Sequence, residues 1–162
     1  MERMDQDQGA SMRSAIAGGD AIGLLTADHE RVSEMFDRFD EADEGDRMAI
    51  ARQICQELKI HAQIEEEIFY PAAREAIDEE ELVDEAVEEH AEAKELIAQI
   101  EASGSRGSDV EELVQQLREA IEHHVEEEES ELFPDVRSAG VDLLGIGTQL
   151  SERKQQLMSS GL

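Results

Sequence analysis

Residues 61–71, HAQIEEEIFYP, are matched position by position by residues 124–134, HVEEEESELFP. Each segment begins with a histidine, carries a glutamate four residues later and ends in a proline. A pair of residues, acidic and then histidine, precedes each segment at almost the same distance, at 28–29 and at 89–90. The chain is therefore predicted to contain two similar halves, and four of its five histidines belong to this internal repeat.

Apolar residues around both segments recur at intervals of three and four, which is the period of an amphipathic helix. The pattern predicts helices at about 20–40, 46–76, 79–102 and 109–140, and a weaker, short helix at about 142–158. Because the predicted connections are short, neighbouring helices should run antiparallel. We therefore predict an all-α fold, an antiparallel up-down-up-down four-helix bundle with a short C-terminal helix packed across one end.

The predicted helices imply a simple domain organisation. Residues 1–19 are polar and show no sustained period, so we expect a flexible tail. Residues 20–140 are expected to form the bundle as one domain, and residues 141–162 the C-terminal helix and its tail. Pro71 is expected to kink the end of the second helix without starting a new element.

The charge balance is extreme, with 42 Asp and Glu against 14 Lys and Arg and a formal net charge of -28. Such a surface repels phosphate backbones and anionic lipids, so we expect neither nucleic acid nor membrane as a partner. The acidic residues are spread over every predicted helix. This distribution fits either a salt-adapted surface or a merely acidic bundle.

The sequence contains no apolar run long enough to span a membrane and no apolar segment of a secretory signal. A cytoplasmic protein is therefore expected. The single cysteine, Cys55, allows no intrachain disulfide and is expected to be a small packed residue.

The inward face of the predicted bundle is not wholly aliphatic. His61 and Glu65 lie in phase with the apolar stripe of their helix, and His124 and Glu128 repeat this arrangement. An ionised carboxylate in an apolar core costs several kcal/mol unless a cation or hydrogen bonds compensate it. Two such pairs facing each other predict a metal cluster.

We predict that two metal ions are bound, each by two histidines, and that two glutamates bridge them. The predicted ligands are His29, His61, Glu65, His90, His124 and Glu128. Neutral imidazoles and carboxylates suit borderline divalent metals, with iron preferred over manganese or zinc. A bridging oxo or hydroxo group would leave each ion with an open position for a small molecule.

At these residues the sequence resembles the hemerythrin-like, or HHE cation-binding, family. The matching pieces are LLTADHERV around His29, EEH ending at His90 and the two repeated segments, over roughly residues 20–138. The resemblance implies a di-iron four-helix bundle that handles oxygen, peroxide or nitric oxide, or senses iron or oxygen. Oxygen-carrying hemerythrins have a further histidine where this chain has Lys94, and they space the last carboxylate as Glu129 is spaced, not as Glu128. These differences predict against reversible oxygen carriage.

Four further residues are candidates for a supporting role near the metal ions: Lys94, Tyr70, Glu129 and Glu131. Lys94 either lies near the bound small molecule or extends into solvent, and Tyr70 is either an aromatic plug or a hydrogen-bond donor to the site. Glu131 is placed either beside the ions or at the rim of the bundle. His123 and Glu66 are expected on the solvated surface.

Three functions are compatible with this reading. The first is a di-iron protein that binds or senses O2, NO or iron. The second is an enzyme that consumes peroxide or reduces NO at the same open position. The third is a metal-free acidic bundle that acts as an interaction module. The expected ligand is a diatomic molecule or peroxide, and the sequence identifies no protein partner.

Overall fold

The structure is a computed structural model that describes residues 20–103 and 107–161. Its α-helices are α1 (Ala21–Glu41), α2 (Glu44–Ile64), α3 (Tyr70–Ala76), α4 (Glu80–Ala102), α5 (Gly107–Glu127), α6 (Phe133–Ser138) and α7 (Leu143–Ser159). Two π-helical turns, Glu65–Phe69 and Glu128–Leu132, join α2 to α3 and α5 to α6. The predicted tail at 1–19 lies outside the described residues.

The long helices form the predicted antiparallel up-down-up-down four-helix bundle. The first layer pairs α1 with α2, the second pairs α4 with α5, and α2 also packs against both α4 and α5. Helix α1 begins at Asp20, whose carboxylate accepts a hydrogen bond from the Gly23 amide and so caps the helix. The internal repeat thus appears as two helical hairpins that face each other.

Two apolar clusters fill the bundle. One surrounds Phe69, Tyr70 and Phe133 at the end that carries the prolines, and the other surrounds Phe36, Phe39 and the buried Cys55. Among the residues whose burial the structure describes, seven buried polar residues lie on the inward faces together with these clusters: Asp28, His29, His61, Glu65, His90, His124 and Glu128. The predicted interruption of the apolar stripe is therefore present in the folded chain.

The π turns correct one detail of the predicted helix pattern. The amides of Tyr70 and Phe133 donate to the carbonyls of Glu65 and Glu128, five residues back. Each turn thus carries one extra residue directly before a proline, which lacks the amide that a regular helix would use. As a result Ile68, which a regular helical period would place on the inward stripe with Glu65, is only partly buried, while the two residues after it are buried.

Helix α7 begins at Asp142, which caps it through the Gly145 amide. It contacts α1, α2 and the first π turn, and buries Ile146, Leu150 and Leu157 among their side chains. It therefore covers the side of the bundle formed by the first hairpin, whereas we had expected it across one end. None of the helices in the described part of the chain is both long and apolar enough to cross a membrane.

Candidate metal centre

The structure brings all six predicted ligands together between the hairpins. Two groups form, each with donor atoms that lie within 4.8 Å of one another. The first contains His29, His61, Glu65 and Glu128, and the second contains Glu65, His90, His124 and Glu128. Glu65 and Glu128 belong to both groups, so the two groups adjoin each other. Their role as metal ligands stays a prediction.

Unpartnered polar atoms test whether this cluster suits metal ions. Among the described residues, six buried side-chain nitrogen or oxygen atoms have no hydrogen-bond partner, and five of them belong to the cluster. These five are His29 Nε2, His61 Nε2, His124 Nε2, Glu65 Oε2 and Glu128 Oε1. Each such atom costs about 1–3 kcal/mol when left unpaired. Imidazole nitrogens and carboxylate oxygens converging without hydrogen bonds are the donor set of a borderline metal ion, so the residues fit one.

Each of the four histidines is held from behind by a carboxylate on its Nδ1 atom. The pairs are His29 with Glu129 (2.8 Å), His61 with Asp28 (3.1 Å), His90 with Glu66 (2.7 Å) and His124 with Glu89 (2.8 Å). Because an ionised carboxylate only accepts, Nδ1 is the donor and Nε2 is directed to the centre. This carboxylate support is the usual arrangement behind metal-binding histidines.

The supporting carboxylates follow the internal repeat. Asp28 and Glu89 directly precede the first histidine of their own hairpin and hold the second histidine of the same hairpin. Glu66 and Glu129 directly follow a central glutamate and hold the first histidine of the opposite hairpin. The two halves therefore contribute equivalent contacts.

This pattern favours Glu128 over Glu129 as the candidate ligand. The Glu128 side chain is buried and aimed between the histidines, whereas the Glu129 side chain is 39% exposed and engaged with His29 Nδ1. Glu129 thus contacts His29, and its suggested role of supporting a metal ligand stays a prediction. Glu66, which we had placed on the solvated surface, has the same role for His90, and this expectation was wrong.

Two lysines extend the supporting contacts outward. Lys94 Nζ donates to both Glu66 oxygens, at 2.9 and 3.0 Å, so its ammonium group supports His90 through Glu66. Lys154 Nζ, on α7, donates to Asp28 Oδ1 at 2.6 Å. The supporting roles of Lys154 and Asp28 were not predicted, because Lys154 lies outside the repeat and Asp28 was noted only as the residue that precedes His29.

Tyr70 makes the centre asymmetric. Its hydroxyl lies 2.5 Å from Glu128 Oε2, 3.0 Å from Glu65 Oε1 and 3.2 Å from His90 Nε2. Burial and the charges of the two glutamates raise the pKa of the phenol well above its usual value, so it stays protonated and donates. The equivalent residue of the other half is Phe133, whose ring stacks parallel to His29 at 6.0 Å. Of the two roles considered for Tyr70, the structure shows the hydrogen-bonded one.

Glu131 lies outside the centre. Its side chain is exposed, and Leu132 and Phe133 take the buried positions of that turn. The extra residue of the π turn accounts for this placement, because it changes which side chains face the core after Glu128. His123 is exposed as expected, with 64% of its side chain accessible.

The cluster shifts the pKa values of its own groups. Burial opposes the charged form of His61, but the Glu65 charge and the hydrogen bond to Asp28 raise its pKa to about 10. Burial also opposes the charged form of His124, while the Glu128 charge raises its pKa to about 12. Burial opposes ionisation of Glu65 as well, yet the contacts with these imidazoles hold its pKa well below the usual value. In the protein alone, protons on the histidines compensate the buried carboxylates, and a metal ion has to displace them.

A small apolar chamber adjoins the cluster. It has a volume of about 30 Å³ and touches all four histidines. Lys94 also lines the chamber. The other walls are chiefly aliphatic and are formed by Val32, Leu58, Ala62, Ala93, Ile97, Ile121 and Val125. A cavity of about 10–15 Å³ already holds a water molecule, so the chamber has room for a ligand of a few atoms.

The fold and the centre together define a class of protein, helical bundles that place histidine and carboxylate side chains around a cation site. The family model of the hemerythrin HHE cation binding domain matches residues 20–136. The chain belongs to this family, as its motifs indicated.

Two individual proteins are similar to this chain. A DNA nickase of Nostoc sp. is 30% identical over 116 residues, a match that covers 71% of this chain and 33% of the relative. The chain thus spans about a third of that relative's length. The crystal structure of a hemerythrin HHE cation binding domain-containing protein from Mycobacterium kansasii has a TM-score of 0.75 at 23% identity. That match covers 87% of this chain and 88% of the other, and it supports the fold.

Proposed function

We propose that the chain binds two iron ions between its hairpins and that a small oxygen- or nitrogen-containing molecule binds beside them. His29 and His61 would hold one ion, His90 and His124 the other, with Glu65 and Glu128 bridging. The observation that supports the proposal is the set of five unpartnered buried donor atoms within two adjoining groups of histidines and glutamates. In the metal-free protein the buried carboxylates need protonated histidines as counter-charges, and a bound cation would take over this role.

The donor set favours iron among the available metals. Four imidazoles and two carboxylates form a mixed nitrogen and oxygen shell, which suits iron, with manganese and zinc as alternatives. When bound, a pair of iron ions supplies an electrophilic, redox-active position for a small ligand. The chain's own residues fix the donor directions through the carboxylates on each Nδ1 atom.

The apolar chamber supports a small ligand. Its aliphatic walls exclude bulk water and offer few hydrogen bonds, which favours a weakly hydrated diatomic molecule such as O2 or NO. The hydrogen bonds between Lys94 and Glu66 engage the lysine, so its charge acts on His90 through that carboxylate. We therefore propose binding or sensing of a diatomic ligand as the first function.

The phenol of Tyr70 favours a second function, consumption of peroxide. Its protonated hydroxyl hydrogen-bonds to both glutamates and holds a proton beside Glu128 Oε2. A proton donor at the centre is useful for a reaction that releases water and is not needed for simple ligand binding. Measured rates with peroxide separate the two functions.

DNA cleavage is not part of the proposal. The chain covers a third of the nickase relative, and the activity in that protein's name belongs to the whole of it. A formal charge of -28 also opposes contact with a phosphate backbone.

The first experiment is iron per chain together with the visible spectrum of the oxidised protein. We expect two irons and absorption from an oxo bridge near the ultraviolet edge. Stopped-flow mixing with O2, NO and peroxide then ranks the activities. A well-folded protein that takes up no transition metal would refute the proposal and favour a metal-free interaction module.

A further inference from the structure

A second group of potential ligands lies on the surface beside the buried centre. His123 Nε2 is 3.2 Å from Glu127 Oε2 and 3.4 Å from Glu89 Oε2. The three donor atoms all lie within 4.8 Å of one another. His123 is exposed, while Glu89 and Glu127 are half-buried. One imidazole and two carboxylates from two helices form an open-faced set of borderline donors.

This outer group shares a residue with the buried centre. Glu89 uses Oε2 to face His123, while its Oε1 holds His124 Nδ1 at 2.8 Å. A narrow crevice of about 10 Å³ between α4 and α5 runs past the same carboxylate. Glu89 and Glu127 line its outer part, and His124 and Glu128 line its inner part. The crevice thus joins the outer group to a predicted bridging ligand through oxygen and nitrogen donors.

The outer group exists in only one half of the repeat. The positions that correspond to His123 and Glu127 in the first hairpin are Ile60 and Ile64. Both isoleucines are buried, in the cluster to which α7 contributes. The buried candidate ligands are therefore equivalent in the two hairpins. The outer side of the first hairpin is covered by apolar packing, whereas that of the second hairpin is open and acidic.

We propose that Glu89, His123 and Glu127 bind a divalent transition-metal ion at the surface and that this ion enters the buried centre along the crevice. The inference rests on the proposed dinuclear function. The net charge of the chain draws cations towards it in general, and the converging carboxylates direct them to this crevice. Glu89 belongs to the outer group and holds His124 in place, and Glu128 lines the same crevice from the buried side, so the two groups lie next to each other along it.

Cobalt(II) tests the proposal without redox chemistry. Metal-stripped protein is titrated with Co²⁺, bound metal is counted, and the uptake rate is followed by stopped-flow absorbance at low salt. The double variant H123Q/E127Q removes two outer ligands, and E126Q removes the same charge from a neighbouring exposed position on α5. The single variant H123Q serves if the double variant loses helicity by circular dichroism.

We expect three bound ions in the wild-type protein and in E126Q, and two in H123Q/E127Q. The rate of metal uptake into the buried centre should fall by about tenfold or more in the double variant, because charged clefts raise association rates by about 10–10³-fold. Two ions in every protein with equal uptake rates would overturn this inference while leaving the buried centre intact, and so would three ions with an unchanged rate. No bound ion in any of the proteins would overturn the proposed function itself.

Discussion

Lys154 Nζ donates to Asp28 Oδ1 at 2.6 Å, and the other oxygen of that carboxylate accepts from His61 Nδ1 at 3.1 Å. Arg31 donates to the same Asp28 oxygen at 2.7 Å. Despite its burial, these contacts hold the pKa of the Asp28 carboxyl far below its usual value, with His61 the largest favourable influence. The C-terminal helix is thus joined to the proposed metal centre by a chain of charge-assisted hydrogen bonds.

We expect Lys154→Met to weaken metal binding by up to about tenfold, the lower end of the range for residues that support a metal ligand. Asp28→Asn, which acts on His61 directly, should have a larger effect, about 10–100-fold. Competition with a chelator measures both. Lys94→Met is the matched control, because Lys94 is 50% exposed against 18% for Lys154 and its ion pair is better screened. Equal affinity in all variants would mean that these contacts do not orient the histidines.

Glu128→Ala should abolish most metal binding, because both proposed ions lose a ligand. Glu129→Ala should retain two ions with affinity lowered about 10–100-fold, since it removes only the support of His29. Metal content after gel filtration distinguishes the variants. Two tightly held irons in Glu128→Ala would show that the bridging carboxylate is misassigned.

Tyr70→Phe should keep two irons per chain, because the six proposed ligands are unchanged. It removes a hydrogen bond to the glutamates, worth about 0.5–1.5 kcal/mol in the free energy of unfolding. If the phenol delivers a proton during peroxide consumption, the rate should fall by about 10²-fold or more. An unchanged rate at full iron content would remove Tyr70 from the reaction.

Metal uptake should release protons at pH 7. Without metal, the pKa values of His61 and His124 are about 10 and about 12, so both imidazoles carry protons that the ions must displace. An indicator dye in weak buffer should detect at least these two protons during a Zn²⁺ titration. Release of none would contradict the raised pKa values.

The same shifts predict how the stability of the metal-free protein depends on pH. The raised histidine pKa values contribute stability that is full below about 6.5 and is lost as pH rises towards 10–12. The lowered pKa of Glu65 contributes stability above about 4.5 that is lost at lower pH. Urea unfolding of chelated protein should therefore show a maximum between these limits, and metal should flatten the alkaline side.

Salt should stabilise the fold. A net charge of -28 makes the folded chain repel itself, and raising the salt concentration from 0.1 to 1 M shortens the screening length from about 10 to about 3 Å. A gain of about 1 kcal/mol would raise Tm by roughly 2–4 °C for a chain of this size. Thermal unfolding in KCl tests this expectation, and a Tm that falls with salt would favour the surface ion pairs, such as those of Arg118, as the larger contribution.

The sequence predicted the bundle and the six converging residues because the repeat fixed the phase of each histidine with its glutamate. His61 lies in the last turn of α2 and Glu65 directly follows that helix. A four-residue spacing in a regular helix places both side chains on one face. The same reasoning failed three residues after Glu65. A regular period was assumed through Pro71, whereas the π turn shifts Ile68 away from the core and brings Tyr70 into it.

The supporting contacts were harder to predict because they link positions far apart in the chain. Nothing local distinguishes Glu66 from its exposed neighbour Glu67, yet only Glu66 lies opposite His90. One signal was available in the repeat, since Asp28 and Glu89 each precede a histidine, and Glu66 and Glu129 each follow a central glutamate. The position of α7 had no such signal, because its weak periodicity gave no face to match against the bundle.

The contacts of His29 with Glu129 and of His90 with Glu66 run between the hairpins. Neither hairpin on its own therefore contains all the proposed ligands of one ion, or all the carboxylates that orient its histidines. Expressed as two separate fragments, the hairpins would form a split receptor whose reassociation is reported by metal capture. Metal binding would stabilise the association of the two fragments, and chelation would favour their separation.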